Sequence, residues 1–238
     1  MSNARGQLLH GSVQRVVATR VFEECGQRLT LHDCGTHHEL LIGKVPLLTS
    51  ARLQTERDFG NLARVGRGAR AGGRRGEAAP ARVLVGGLGF GATLARVLAV
   101  CGARDEVIVV EKLRTVVALV RGEMSHVAPR VLDDPRVTLL QRDVADVIQE
   151  QEGLDAILLD VDNGPDWASF RSNSRLYSRQ GVARAARALK KGGRYAVWSG
   201  YGADGFLKTL VRAGLEPSVV PLYERGKLQA RAYVGFKR

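Results

Sequence analysis

The sequence predicts an α/β fold, in which helices cover both faces of a mostly parallel sheet of seven strands. Two observations lead to this prediction. From Arg82 onward, short segments rich in Val, Ile and Leu alternate with amphipathic helical segments, and this alternation is typical of parallel sheets. The segment at 82–86 also runs directly into a cluster of glycines and then into a helical pattern, which is the opening unit of Rossmann-like domains.

Each element of this Rossmann-like domain is predicted from its own segment. Strands are expected where β-forming residues are bounded by Gly, Pro or Asp, and helices where apolar residues recur every three or four positions. The expected strands are 82–86, 106–111, 136–140, 155–159, 194–198, 216–222 and 230–236. The expected helices are 91–102, 113–125, 144–151, 177–190 and 204–213.

The chain before this domain, which we place at 82–238, is expected to have two parts. Residues 1–63 predict a small β-rich unit that ends in a helix. Its expected strands are 13–17, 28–32 and 39–42, followed by a helical pattern over 48–63. Residues 64–81 are almost entirely Gly, Ala and Arg. Because such a segment buries too little apolar surface to offset its ordering entropy, we expect a mobile basic linker.

Composition favours a globular protein of the cytoplasm. Hydrophobic residues make up 45% of the 238 residues, which is ordinary for a globular chain. No run reaches the ~18 apolar residues of a membrane span, and the first residues lack an apolar signal core. The three cysteines are odd in number and widely spaced, which argues against a disulfide framework. We therefore expect a cytoplasmic protein with no membrane attachment.

The formal net charge of +12 has two interpretations. Lysines and arginines gathered on one face would bind phosphates, as in a nucleic-acid-binding protein. Arginines spread over the exterior would only hydrate the surface. Positive residues occur throughout this chain and few aromatic residues accompany them, whereas surfaces that bind single strands combine both. We favour the hydrated exterior, and a nucleic-acid partner stays open.

The glycine cluster after the first strand of the large sheet is typical of a nucleoside-cofactor site. Gly86, Gly87, Gly89 and Gly91, with Leu88 among them, allow positive φ and leave no Cβ between backbone and ligand. The helix that follows would present unpaired N–H groups and a partial positive charge at its start. We expect this glycine turn to line a cofactor.

Acidic residues follow three of the predicted parallel strands. Glu111 ends the second strand, and an acid at this offset from a glycine turn is where ribose hydroxyls are bound. Asp143 and Asp160 follow the third and fourth strands. Because ligands in such sheets bind beyond the carboxyl ends of the strands, we expect the three acids to lie in one crevice.

Further short motifs accompany the glycine turn and Glu111. They are Asp143-Val144, Asp160 with Gly164-Pro165, Leu176-Tyr177 leading to the Leu-Lys-Lys-Gly-Gly of 189–193, and Thr55-Glu56-Arg57-Asp58. As a set they resemble the spermidine synthase family of aminopropyltransferases, a branch of the class I S-adenosylmethionine-dependent methyltransferase fold. The resemblance covers most of the chain outside the linker, and the small β-rich unit is similar to that family's architecture.

The resemblance implies a cofactor built on adenosine and a sulfonium, either S-adenosylmethionine or its decarboxylated form. By this resemblance Glu111 would hold the ribose hydroxyls, and the glycine turn would line the sulfonium side chain. Asp143 would accept a hydrogen bond from the adenine amino group, and the backbone N–H of Val144 would donate to the ring. The resemblance also implies a homodimer.

Three residues are candidates for the chemical step. By the same resemblance Asp160 would lie beside the reacting carbon, where a carboxylate can take a proton from the nucleophile or position an amine. Asp162 would help to bind the acceptor. Tyr177 would either close over the acceptor or pack in the core, and the sequence leaves these two roles equally open.

Three departures from the family's pattern favour methyl transfer over aminopropyl transfer. Gly89 stands where aminopropyltransferases carry an Asp that meets the donor's amine end. The DSSDPxGP loop is shortened to the residues 160–165, and Gly60-Asn61-Leu62-Ala63 replaces the Tyr-His-Glu that lines the polyamine pocket. An uncharged turn at a helix N-terminus tolerates the carboxylate of intact S-adenosylmethionine better. A positively charged protein also attracts a cationic polyamine poorly.

No metal site is expected. Asp160, Asp162 and Asn163 are close in sequence, yet without a further contributor they would hold Mg²⁺ weakly, and Asn-Gly-Pro is typical of a turn. The first 63 residues also contain several cysteines and histidines, which are typical zinc ligands, but their spacing matches no standard zinc-finger motif. These are Cys25, His32, Cys34, His37 and His38.

The expected function is therefore group transfer from an S-adenosylmethionine-type cofactor to an unidentified small-molecule acceptor. Aminopropyl transfer is the alternative within the same class. A basic nucleic-acid-binding protein or an RNA methyltransferase is the alternative from a different class, and a scaffold that binds the cofactor without turnover is also open.

Overall fold

The computed structural model describes residues 16–64, 79–161, 164–165 and 173–238. The chain forms two compact units, 1–51 and 52–238, which are described in turn. This division falls before the boundary expected at residue 63, because helix α1 (Gln54–Gly60) packs on a helix of the larger unit. Most of the segment expected to be a mobile linker, 65–78, lies outside the described residues.

The smaller unit is a four-stranded antiparallel sheet with strand order β1-β2-β3-β4. The strands are β1 (Ala18–Glu24), β2 (Gln27–Asp33), β3 (His38–Ile42) and β4 (Val45–Thr49). Leu29 and Leu31 are buried, as is Leu40 on β3. Side chains two apart on a strand share a face, so these leucines form the core side of the unit. The strands expected at 28–32 and 39–42 are confirmed.

Two expectations for the early chain are corrected. Of the strand expected at 13–17, Val16 and Val17 precede β1, and the other positions lie outside the described residues. Leu48 lies in β4, so the prediction of a helix from this residue is wrong. Because Leu48 pairs with Leu40 across a hairpin, cross-strand packing outweighs the helical spacing of its neighbours. The helix begins only at Gln54.

The larger unit contains a seven-stranded sheet with strand order β10-β11-β9-β8-β5-β6-β7. The strands are β5 (Arg82–Gly86), β6 (Glu106–Val110), β7 (Val137–Leu140), β8 (Leu154–Leu159), β9 (Leu189–Ser199), β10 (Leu215–Glu224) and β11 (Lys227–Lys237). Strands β5 to β9 pair in parallel. Strand β11 pairs antiparallel with β9 on one side and with β10 on the other, so β11 alone runs against the other strands of this sheet. The predicted Rossmann-like, mostly parallel sheet is confirmed.

The helices of the larger unit follow the predicted alternation. They are α1, α2 (Ala92–Val100), α3 (Arg114–Arg121), α4 (Val144–Gln149), α5 (Ser174–Tyr177), α6 (Arg179–Ala188) and α7 (Gly205–Arg212). Two boundaries differ clearly from expectation. Helix α3 ends at Arg121 rather than at 125, and the helix expected at 177–190 is essentially α6, which ends at Ala188 and is separated from the short α5 at Ser178. The Ser178 side chain accepts a hydrogen bond from the N–H of Gly181, which caps α6 and separates it from α5.

The core lies on both faces of the central strands. All six residues of β8 are buried, as central parallel strands require. On β5, Leu84 joins a cluster that includes residues of α4, α6 and α7, while Val83 and Val85 point to the opposite face and are equally buried. In the described ranges no helix has both the length and the apolarity for a membrane crossing.

Candidate cofactor and active site

The glycine turn after β5 is packed tightly against the end of β8. The N–H of Gly87 donates to the carbonyl oxygen of Val110 at 2.8 Å, and the N–H of Asp160 donates to that of Gly86 at 2.8 Å. Gly87 has a φ of 89°, and a Cβ there would overlap the carbonyl oxygen of Asp160. Only glycine fits this conformation and this close approach. The turn therefore ties together the carboxyl ends of β5, β6 and β8.

Glu111 follows β6 and braces the same turn. Its carboxylate accepts one hydrogen bond from the N–H of Leu88 at 2.9 Å and another from the N–H of Leu113 at 2.8 Å. The residue is only 9% exposed. Carboxylate oxygens accept more than one hydrogen bond, so this bracing leaves the group suited to holding a hydroxyl pair. The predicted position of Glu111 beside the glycine turn is the one observed.

Asp143 lies after β7 at the N-cap of α4, where it accepts a hydrogen bond from the N–H of Ala145 at 3.0 Å. Its carboxylate also forms an ion pair with Arg175 at 2.8 Å and lies 3.6 Å from Nζ of Lys112. Any further hydrogen-bond donor to this carboxylate would therefore share it with Arg175 or displace Arg175. The buried side chain of Val144 packs against Gly86, which places α4 directly beside the turn.

Asp160 lies at the end of β8 and interacts with residues of α1 and α2. Its Oδ2 accepts a hydrogen bond from Oγ1 of the buried Thr93 at 2.6 Å. The same hydroxyl lies 3.2 Å from the carbonyl oxygen of Glu56. Gly60 allows this arrangement, because a Cβ there would lie 2.7 Å from Cβ of Arg96. Helix α1 thus packs closely on α2 and brings Glu56 to Asp160.

Glu56 and Asp160 form a pair of carboxyl groups whose charges repel each other. Burial raises the pKa of Asp160 to about 6, against the opposing effect of the Thr93 hydrogen bond. Burial also raises the pKa of Glu56 to about 7, and the neighbouring charge of Asp160 raises it further. Two carboxyls in one site do not ionise together easily. The pair can therefore hold or accept a proton near neutral pH, as an acid-base catalyst must.

Of the other two candidates for the chemical step, Tyr177 lies among the described residues and Asp162 does not. Tyr177 is buried at the end of α5, with its ring edge-on to Phe206 at a centroid distance of 6.1 Å. Of its two expected roles, core packing is the one that these contacts display. Asn163, in the same loop as Asp162, also lies outside the described residues.

Sequence reasoning assigned no role to Glu56 or Thr93. Glu56 belongs to the Thr55-Glu56-Arg57-Asp58 motif, which contributed to the resemblance, and Thr93 is the second residue of α2. Neither the motif nor the helical pattern indicates that the two lie beside Asp160. The contact depends on the packing of α1 against α2, which is a tertiary property.

Comparisons with known proteins agree with this architecture. No protein-family model and no curated protein sequence matches the chain. Among solved structures, spermidine synthase in complex with the transition-state analogue AdoDATO superposes with a TM-score of 0.67 at 16% identity, over 93% of this chain and 72% of that one. A probable spermidine synthase from Corynebacterium glutamicum gives 0.61 at 16% identity, over 92% and 80%.

A methyltransferase also has a similar structure. Precorrin-6y C5,15-methyltransferase from Geobacter metallireducens gives a TM-score of 0.50 at 11% identity, over 67% of this chain and 81% of that one. Identities this low show the fold alone. The chain therefore has the fold shared by spermidine synthases and class I methyltransferases, and the predicted resemblance to that group is confirmed at the level of structure.

Proposed function

We propose that the chain is a group transferase that uses an S-adenosylmethionine-type cofactor. The observation that carries the proposal is the double hydrogen bond of Glu111 to the N–H groups of Leu88 and Leu113. This contact fixes a carboxylate beside a glycine turn at the carboxyl ends of parallel strands, which is where nucleoside cofactors bind in open α/β sheets. Neighbours with this fold include spermidine synthases and a methyltransferase.

The residues present fit such a cofactor. Glu111 would hold the ribose hydroxyls, and Asp143 with Val144 would bind the adenine edge once Arg175 shares or releases the Asp143 carboxylate. The backbone of Gly86, Leu88, Gly89 and Gly91 would line the sulfonium side chain. The tight path of this turn depends on glycine, because a Cβ at Gly86 or Gly91 would collide with core side chains. When bound, the cofactor supplies an alkyl carbon already activated by its sulfonium.

The protein's own groups would then position the nucleophile and receive its proton. The sulfonium would supply the activated carbon and would keep the electron pair of the carbon–sulfur bond, while the protein would hold the nucleophile in line with that carbon. A proton leaves the nucleophile, and the Asp160 carboxylate is its proposed acceptor, with Glu56 beside it as a second site. Alignment and exclusion of water supply most of the remaining acceleration in such displacements.

Methyl transfer is the specific reaction that the glycine turn favours. Gly89 supplies no carboxylate to meet the amine end of a decarboxylated donor. The start of α2 at Gly91 instead presents partial positive charge, which favours the carboxylate of the intact cofactor. The acceptor would be a small molecule with a nucleophilic nitrogen, oxygen or sulfur.

Aminopropyl transfer is the second candidate, and a different observation favours it. The spermidine synthases align over more than nine-tenths of this chain, whereas the methyltransferase aligns over about two thirds. The Glu56–Asp160 pair also suits an ammonium acceptor that must lose a proton before it attacks.

Calorimetric titration with S-adenosylmethionine and, separately, with its decarboxylated form tests the proposal. Tighter binding of the intact cofactor supports methyl transfer, and tighter binding of the decarboxylated form supports aminopropyl transfer. Glu111→Gln should weaken either cofactor by about tenfold or more, since it replaces a charged acceptor of ribose hydroxyls. Glu106→Gln on the same strand, whose side chain is 63% exposed, is the matched control. If neither cofactor binds, the proposal is wrong.

A further inference from the structure

The smaller unit, β1 to β4, places three metal-binding side chains together, and none of them belongs to the proposed transferase site. The side-chain ligand atoms of Cys34, His37 and Glu39 all lie within 4.8 Å of one another. We propose that these residues form a zinc-binding site. The inference uses only contacts within residues 16–51, so it stands apart from the proposed group transfer.

A tight turn brings the first two ligands together. The N–H of Cys34 donates to the carbonyl oxygen of His37 at 2.9 Å, which closes the connection between β2 and β3. Gly35 has a φ of 78°, and its N–H donates to Oδ1 of Asp33 at 2.7 Å. The result is a Cys-x-x-His turn held by its own backbone, in which both side chains converge.

The third ligand comes from the strand that follows the turn. Glu39 lies two residues after His37, and residues at this spacing on extended backbone share a face. The distance from Nε2 of His37 to Oε1 of Glu39 is 3.4 Å. The spacing of these residues matches no standard zinc-finger motif. The third ligand, Glu39, comes from β3 and not from a second Cys-x-x-His motif.

The environment of His37 is an independent indication of a missing ligand. The residue is 8% exposed, and its Nε2 makes no hydrogen bond to any described residue. Its Nδ1 lies 3.1 Å from Oγ1 of Thr36, and a hydrogen bond at one ring nitrogen commonly orients the other toward a metal. Leaving a buried polar atom without a hydrogen bond is costly. A metal bond at Nε2 would remove that cost.

The chemistry of the ligands favours zinc over the hard cations. A thiolate, an imidazole and a carboxylate together suit Zn²⁺, whereas Mg²⁺ and Ca²⁺ take oxygen ligands. Zinc bond lengths of about 2.0–2.3 Å place tetrahedral ligands roughly 3.3–3.8 Å apart. The 3.4 Å between His37 and Glu39 already lies in this range, and the largest possible separation in the cluster, 4.8 Å, would have to close by on the order of 1 Å. A bound dication would also compensate the negative charge of the Glu39 carboxylate.

Metal titration of the full-length protein tests the proposal. Stripped protein is titrated with Co²⁺, whose bond to a thiolate gives a charge-transfer absorption band, and then with Zn²⁺ to displace it. We expect one equivalent to bind, and Cys34→Ser to abolish the thiolate band and weaken Zn²⁺ binding by about tenfold or more. Cys25→Ser, at an exposed thiol of the same unit, is the matched control and should bind like the wild type.

A second measurement needs no variant. Stoichiometric Zn²⁺ should slow alkylation of Cys34 in the wild-type protein by at least about tenfold while leaving Cys25 reactive, because a metal-bound thiolate is a poor nucleophile. Failure of the wild type to bind Zn²⁺ stoichiometrically overturns the proposal. Folded Cys34→Ser protein that binds Zn²⁺ as tightly as the wild type, or alkylation of Cys34 unaffected by Zn²⁺, also overturns it.

Discussion

Glu56 and Asp160 come from distant parts of the sequence, and in the fold the charge of Asp160 raises the pKa of Glu56. Thr93 donates a hydrogen bond to Asp160 and contacts the backbone of Glu56, so the two acids are linked by one hydroxyl as well as by charge. Because both pKa values are raised toward neutrality, the pair exchanges a proton in the range where an enzyme operates.

Replacing Asp160 tests the chemical role of this pair. Asp160→Asn removes the proposed proton acceptor and keeps the side-chain size, so turnover should fall by about a hundredfold or more while cofactor affinity changes little. The readout is the release of the thioether product with a panel of amine, hydroxyl and thiol acceptors, alongside calorimetry of the cofactor. Asp133→Asn, at an exposed aspartate, is the control. Full turnover of Asp160→Asn at normal cofactor affinity would rule out the role.

The same pair predicts how stability depends on pH. The pKa of Glu56 is about 7 in the folded protein and near 4.5 in the unfolded chain, so the folded state binds more protons between these values. Stability must then fall as pH rises through this range. Glu56→Gln should reduce the loss in free energy of unfolding between about pH 5 and pH 8 by on the order of 1–3 kcal/mol.

Urea denaturation at each pH measures this difference. Glu106→Gln, which removes an exposed glutamate, should leave the pH dependence of the wild type unchanged. A Glu56→Gln variant whose pH profile matches that of the wild type would show that Glu56 is not titrating in this range.

At the scale of elements, the loop after β5 is the junction on which the site depends. Its backbone is bonded to β6 through Gly87 and Val110, and to the end of β8 through Gly86 and Asp160. Glu111 adds a side-chain link to Leu88. Because most of these bonds join backbone groups, we expect a substitution within the turn to disturb the site more than one in the surrounding strands.

Gly87→Ala tests this junction. The added Cβ would overlap the carbonyl oxygen of Asp160, and the alanine would have to adopt the φ of 89° that Gly87 has. We therefore expect a loss of about 2–4 kcal/mol in the free energy of unfolding. Gly214→Ala is the matched control, because Gly214 has a φ of 79° and open space around its Cβ position. It should cost only about 1 kcal/mol from backbone strain. Equal losses in urea denaturation would show that the close approach is unimportant.

At the scale of the whole molecule, the net charge of +12 concerns partners rather than fold. Among the described residues, those of the proposed site require no nucleic acid. A homodimer and a small-molecule acceptor are proposals. We therefore expect RNA to bind weakly, through phosphates alone, and to dissociate at moderate salt.

Salt titration of RNA binding, followed by fluorescence anisotropy, measures this expectation. Binding that persists at about 0.2 M salt and weakens severalfold when residues 64–79 are deleted would favour a nucleic-acid-binding protein instead. If the deletion variant and the wild type both bind RNA weakly and with the same salt dependence, the positive residues serve only to keep the protein surface hydrated.

Sequence patterns predicted much of the large unit because its strands are nearly continuous apolar runs between turn residues. All seven strands of the large sheet lie where expected, although β9 begins at Leu189, inside the expected helix. The small unit was harder to predict. Leu48 fits both a helix and a strand by spacing, and only its pairing with Leu40 decides between them.

The sequence by itself determined the α/β fold, the glycine turn and the position of Glu111, because local backbone preferences and the order of strands dictate each of them. Tertiary structure alone decided that Glu56 meets Asp160, that Arg175 pairs with Asp143 and that Glu39 joins Cys34 and His37. These contacts arise from the packing of helices and the register of strands. Their energies depend on burial and on distances between side chains, which no local pattern specifies.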